Sequence, residues 1–183
     1  MTMRIKHTPA RAVTVAAASA LLAISLAAPA GAATGPRATG GGHVLFAGEI
    51  DLTFSFSAVV LGDGTARGSF HHAFEFDGHQ IDYWGTVTCL TIDAAEGRAW
   101  IGGVLTKVAS THPDVVELPG DDAWFRVLDT GPASPDDDDR STFMGFQGSA
   151  GIDTSEQYCA EQPWPDDNAR THPVVAGNIT VSE

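Results

Sequence analysis

Residues 51–76 read DLTFSFSAVVLGDGTARGSFHHAFEF, and their pattern decides the fold. Leu52, Phe54, Phe56, Ala58 and Val60 alternate with Asp51, Thr53, Ser55, Ser57 and Val59. A strand turns successive side chains to opposite faces, so a period of two marks a half-buried strand. Gly62-Asp63-Gly64 interrupts the run with turn residues, and Ala66, Gly68, Phe70, His72, Phe74 and Phe76 resume it. Asp77-Gly78 then supplies a tight hairpin turn.

The same pattern extends in both directions. Residues 81–92 (IDYWGTVTCLTI) form a third long strand, whose apolar phase slips near Leu90 and so predicts a bulge. Residues 99–108 (AWIGGVLTKV) form a fourth, in which Gly102-Gly103 predicts a bend or a close backbone approach. Shorter strands are expected at 123–129 and 142–146, with 43–47 and 173–181 as the first and last. No helical periodicity follows residue 33. The expectation is an all-β antiparallel meander of about eight strands, closing into a barrel by pairing its ends, with a two-sheet sandwich as the alternative. Long loops are expected at 110–120, 131–141 and 148–171.

The N-terminus has a different character. Arg4, Lys6 and Arg11 precede the uncharged run AVTVAAASALLAISL (12–26), and small residues around Pro29 follow. Base, apolar stretch and A-x-A site are the layout of a secretory signal, with cleavage after Ala32. The expected domains are a signal peptide at 1–32, a flexible Gly-rich lead at 33–42 and a single all-β domain at 43–183. Localisation is therefore expected to be secreted, with no membrane span after cleavage. Cys89 and Cys159, the two cysteines of the chain, read as one disulfide in an oxidising compartment. The formal net charge of −13 excludes nucleic acid as the main partner, which needs a basic footprint.

Four segments carry a resemblance: FSFSAVVLGDGTARGSF (54–70), VTCLTI with RAWIGGVLTK (87–107), FRVLDTG (125–131) and GNITV (177–181). Together they resemble a group of small exported β-proteins of high-GC Gram-positive bacteria. The resemblance implies export and a β fold. It implies no catalytic residue.

Candidate chemistry is sparse. Asp129, Asp136, Asp137, Asp138 and Asp139 are weak Ca²⁺ candidates: the ion wants six to eight oxygens, but adjacent carboxylates cannot all face it and no EF-hand spacing is present. The plainer reading is a solvated, self-repelling loop. His71 and His72 point to opposite faces, so they cannot share a metal on a regular strand. His72 falls in the phase of Phe70 and Phe74 and reads as a buried imidazole, either a core residue or part of a pocket. Trp84, Trp100 and Trp124 are the aromatic residues that would line such a pocket. Ser149 lacks the first glycine of the G-x-S-x-G elbow. No cofactor is expected. The reading is a secreted, non-enzymatic protein that binds a small ligand or an extracellular partner. The alternative is a small extracellular enzyme with its site in the barrel mouth.

Overall fold

The alternation in residues 51–76 does produce two neighbouring strands, and the others pair onto them in turn. A computed structural model describes residues 35–46, 50–131, 138–165 and 170–183, all within one unit. The segment expected as a signal peptide at 1–32, residues 33 and 34 of the expected lead, and Asp136 and Asp137 lie outside them. The strands are β1 (Arg37–Phe46), β2 (Ile50–Val60), β3 (Ala66–Phe76), β4 (His79–Asp93), β5 (Arg98–Ser110), β6 (Asp122–Leu128), β7 (Arg140–Thr142), β8 (Gly145–Phe146) and β9 (Thr171–Ser182). Their order is β5-β4-β3-β2-β1-β9-β7-β6, and β6 pairs back onto β5. The result is a closed, eight-stranded antiparallel barrel, with β8 as an additional strand on β6. The sandwich alternative does not occur. The segment expected as one strand at 142–146 is split between β7 and β8, and Phe143 in the break packs its ring against Phe46 and Phe74 at 5.3 and 4.8 Å.

The interior phase follows the alternation. Leu52, Phe54, Phe56 and Ala58 of β2, Phe70 and Phe74 of β3, Ile81, Tyr83 and Val87 of β4, and Phe125 and Val127 of β6 are all buried in one cluster. Phe125 is met by Phe56 and Phe70 at 5.4 and 5.8 Å. The barrel is filled by rings and is not hollow. At roughly 1.5–3 kcal/mol for each large apolar side chain, this burial is the main stabilising term.

One boundary needs correcting. The lead expected to be flexible up to residue 42 already belongs to β1 from Arg37. Gly40, Gly41 and Gly42 sit in register with Phe56, Ser55 and Phe54 of β2. A Cβ on Gly42 would lie 2.2 Å from the Ala176 carbonyl oxygen of β9. The glycines are there because two backbones pass too closely for a side chain, a role that composition alone cannot distinguish from a linker.

Closure depends on two carboxylates. The short β7 reaches only Thr171–Pro173 of β9, so further along that side no described strand accepts from β9. Asp139 Oδ2 accepts the Ile179 N–H at 2.6 Å, and Asp129 Oδ2 accepts that of Val181 at 2.8 Å. Their other oxygens hold the loop itself: Asp139 Oδ1 accepts from Thr130 N at 3.0 Å and Asp129 Oδ1 from Gly131 N at 2.8 Å. Two of the Ca²⁺ candidates are thus spent on backbone amides. Asp138 is exposed, and no cluster of three or more metal-ligating side chains occurs among the described residues.

Hydrogen bonds to a charged acceptor are worth roughly 1.5–3 kcal/mol. Asp139→Ala is therefore expected to lower unfolding stability by about that amount. Asp138→Ala should change it by less than about 0.5 kcal/mol, as surface substitutions do. Urea unfolding of both variants checks this. Equal effects would show that the seam is not held by Asp139.

Candidate functional site

The residues expected to form a pocket do not meet in one place. His72 is inside the barrel, 1% exposed, with Phe125, Phe54 and Phe70 at ring distances of 4.8, 5.9 and 6.5 Å. Neither ring nitrogen has a hydrogen-bond partner among the described residues. Burial is the main cause that holds its pKa down, to about 3, and the neighbouring His71 adds to it. Trp84 is on the opposite face of the wall. Its ring lies between His71, stacked at 4.6 Å, and the Lys107 ammonium at 4.1 Å. His71 is fixed in turn by Asp82 at 2.9 Å. Trp84 is therefore a partly buried residue of the outer face, where it lines an open hollow with His71, Gly85 and Thr106, away from His72.

Trp100 and Trp124 are brought together, but outside the barrel. They alternate with the interior residues Ile101 and Phe125 and form a second cluster with Ile152, Tyr158 and Trp164. The cover is residues 148–165, expected as plain loop. This strap contains a short helix, α1 (Ser155–Glu161). The Thr154 side chain caps its start by accepting from Gln157 N at 3.1 Å, and Gln162 at φ 49° ends it. Thr154-x-x-Gln157 is a capping-box spacing, the local signal that marks the helix in the sequence.

The strap is fastened at three points. The register of β4 on β5 shifts between Val87 and Cys89, leaving Thr88 as the extra residue of a bulge. Before it, odd-numbered residues such as Val87 point inward; after it, Leu90 and Ile92 pack on the core instead. The bulge thus turns Cys89 outward, where it forms a disulfide with Cys159 of α1. The expected bridge is present, and the expected phase slip lies two residues earlier than Leu90. At the second point, Asp122 accepts from Ser155 N and Ser155 Oγ at 2.9 and 2.5 Å. At the third, the Pro163 carbonyl accepts from Trp100 Nε1 at 3.2 Å and Arg126 Nη1 at 3.0 Å. Trp164 is held between the guanidinium groups of Arg98 and Arg126 at 4.8 and 5.0 Å.

Beside these contacts, strap and wall do not quite meet. A cavity of about 640 Å³ lies between them, lined among others by Phe46, Trp124, Arg126, Met144, Ile152 and Tyr158. Trp124 and Tyr158 stack at 5.6 Å, 21° from parallel, and make a flat wall. Burial pushes the Tyr158 hydroxyl well above the usual phenol range, although the Arg126 charge opposes it, so the hydroxyl stays protonated. Burial also draws the Arg126 guanidinium down, and Arg170 acts in the same direction. Arg126 and Tyr158 were not marked by the sequence reading. The available signal was a cation in the outward phase of an otherwise apolar strand, FRV at 125–127.

The hydroxyls nearby have partners of their own. Ser149 Oγ accepts from Phe146 N at 3.2 Å. Ser155 is fully buried and faces Asp122 and Thr88.

Two measurements test this layout. The bridge spans 70 residues, and a closed loop of that size is worth roughly 4 kcal/mol. Reduction is expected to lower the unfolding midpoint accordingly and to speed amide exchange first in 148–165. Uniform loss of protection would show that the strap is not a separate unit. His72 gives a pH dependence. Below pH 6.5 the unfolded chain takes up a proton that the folded barrel refuses until about pH 3. The contribution is therefore full above 6.5 and is lost as pH falls, by about 1.4 kcal/mol per unit. His72→Leu should flatten that slope in acid unfolding titrations. An unchanged slope would place the acid sensitivity elsewhere.

Comparison with protein-family models, with curated proteins and with solved structures found no match to this chain.

Proposed function

We propose that this is an exported, non-enzymatic protein that binds a small molecule outside the cell, in the cavity between the barrel wall and the strap. The observation that carries the reading is where the free space lies. The barrel interior is filled by Phe54, Phe56, Phe70 and Phe125, whereas the space under the strap has aromatic walls and a few fixed polar groups. Small-molecule sites have that composition and volume range. The disulfide supports an oxidising compartment. No described helix is long and apolar enough to cross a membrane. A binding role fits better than catalysis because the hydroxyls beside the cavity are engaged with backbone or a carboxylate: Ser149 Oγ accepts from Phe146 N, and Ser155 Oγ donates to Asp122.

The probe is 2-naphthalenemethanol, a neutral bicyclic aromatic. Calorimetric titration is expected to show one saturable site, with the largest NMR shift at the Trp124 indole N–H. Ser149→Trp, which sets an indole at the cavity rim, should weaken binding at least about tenfold, or 1.4 kcal/mol. 2-Naphthyl acetate should be bound without hydrolysis. Absence of saturable binding, or shifts confined to the exposed side chains Phe76, Val116 and Leu118, would defeat the reading.

A further inference from the structure

Most of the described polar groups around the cavity are already spent on the fold. The Arg126 guanidinium belongs to the strap: it donates to the Pro163 carbonyl at 3.0 Å and to the Tyr158 oxygen, and it lies against the Trp164 ring. The Pro163 carbonyl takes a second bond from Trp100 Nε1. The hydroxyls of the lining are held through their oxygens. Thr142 Oγ1 accepts from Arg126 N at 3.1 Å, Ser149 Oγ accepts from Phe146 N at 3.2 Å, and the Tyr158 oxygen accepts from Arg126. A hydroxyl held in this way still has a proton to donate.

Trp124 goes further. It is 4% exposed and lines the cavity, and its indole N–H bonds to no described residue. An indole nitrogen only donates, and a buried one ordinarily has an acceptor. Trp100, in the same cluster, has one. The Trp124 ring is not free to turn in search of another. Tyr158 stacks on it at 5.6 Å, and Gly145 lies so close that a Cβ there would be 2.5 Å from Nε1. The wall of the cavity therefore carries a fixed donor with nothing to receive its hydrogen. Burial decides which acceptor suits it. The Tyr158 hydroxyl keeps its proton even with the Arg126 charge beside it, so burial there works against an anion. A neutral oxygen loses less hydration than a carboxylate on entering such a space.

We propose that the cavity takes an apolar molecule bearing a neutral carbonyl (a ketone, ester or lactone) whose oxygen accepts from the Trp124 indole N–H. The proposal rests on the reading of this cavity as the ligand site and adds the chemical class. Phe46, Met144 and Ile152 contact the apolar body of the ligand, and Trp124 selects the carbonyl. Because Tyr158 and Gly145 hold the indole in place beforehand, little reorganisation accompanies binding.

The test compares 2-acetylnaphthalene with 2-isopropenylnaphthalene, which has C=CH2 in place of C=O and nearly the same shape. On the wild-type protein the Trp124 indole proton is expected to move downfield with the ketone and not with the alkene, and the carbonyl stretch of the bound ketone should fall. The ketone should also bind more tightly than 2-naphthoate at pH 8. Trp124→Phe should weaken the ketone about fivefold more than the alkene, the net worth of one neutral hydrogen bond. Comparing the two losses cancels the different water solubility of the probes. If Trp124→Phe displaces the indole signals of Trp100 and Trp164, the strap has moved, and the wild-type indole shift and carbonyl stretch decide. Equal losses for ketone and alkene with the strap in place, an indole proton that responds to both alike, or tighter binding of naphthoate would overturn the ligand class and leave the cavity as a binding site. No binding of any probe there would instead remove the site itself.

Discussion

The seam between β9 and β6 is the constraint on which the rest of the structure depends. A barrel wall must satisfy every backbone N–H along it, and β7 is only three residues long. Asp129 and Asp139 supply the missing acceptors and bind Ile179 and Val181 as a neighbouring strand would. Each carboxylate also holds an amide of its own loop, so the loop and the last strand are fixed together. With the seam closed, β1 and β9 stay paired and the phenylalanine-filled interior is sealed from water. The densest acidic run in the chain is therefore partly architectural. Its charge does there what strand backbone does elsewhere.

A second constraint converts the filled barrel into a protein with a usable surface. The wall formed by β5 and β6 is apolar on both faces, since Trp100 and Trp124 point outward while Ile101 and Phe125 point inward. An outward face of that kind needs a cover. The bulge at Thr88 provides the fastening point by rotating Cys89 to the outside. One inserted residue thus links the strand phase, the disulfide and the position of α1. The cavity is what remains where the cover departs from the wall, so its shape is set by the pins at Cys159, Ser155 and Pro163.

The legible and illegible parts of this molecule differ in physical kind. Strands such as β2 and β3 could be read because burial on one face imposes a period of two on Leu52–Ala58 and Phe70–Phe74. The disulfide could be read because two cysteines allow one pairing. Gly40–Gly42 could not, since a close backbone approach and a flexible linker both select glycine. The acidic residues were misread in part because the carboxylates of Asp129 and Asp139 are recruited by amides about 40 and 50 positions away, a relation with no local signature. Trp84, Trp100 and Trp124 read from the sequence as residues of one pocket, but which face each one occupies depends on bulges and covers that only the folded chain supplies. Arg126 is the clearest loss. One cation in an apolar strand reads as an edge or surface residue until a strap is laid over it.

The pairing of β1 with β9 also constrains the order of assembly. Strands β1 to β5 are linked by short connections and can pair with neighbours in sequence, so their hairpins form without a large loop-closure cost. Arg37, in contrast, is paired with Ser182. That contact spans nearly the whole described chain, and fold topologies rich in such contacts form slowly. During synthesis the first five strands must therefore persist as an open, curved sheet with their apolar face uncovered until the last twelve-residue strand appears. A chain that stops short of β9 keeps all of its early hairpins and still has no enclosed interior. For this fold, completeness of the C-terminal strand separates a native molecule from a sticky intermediate.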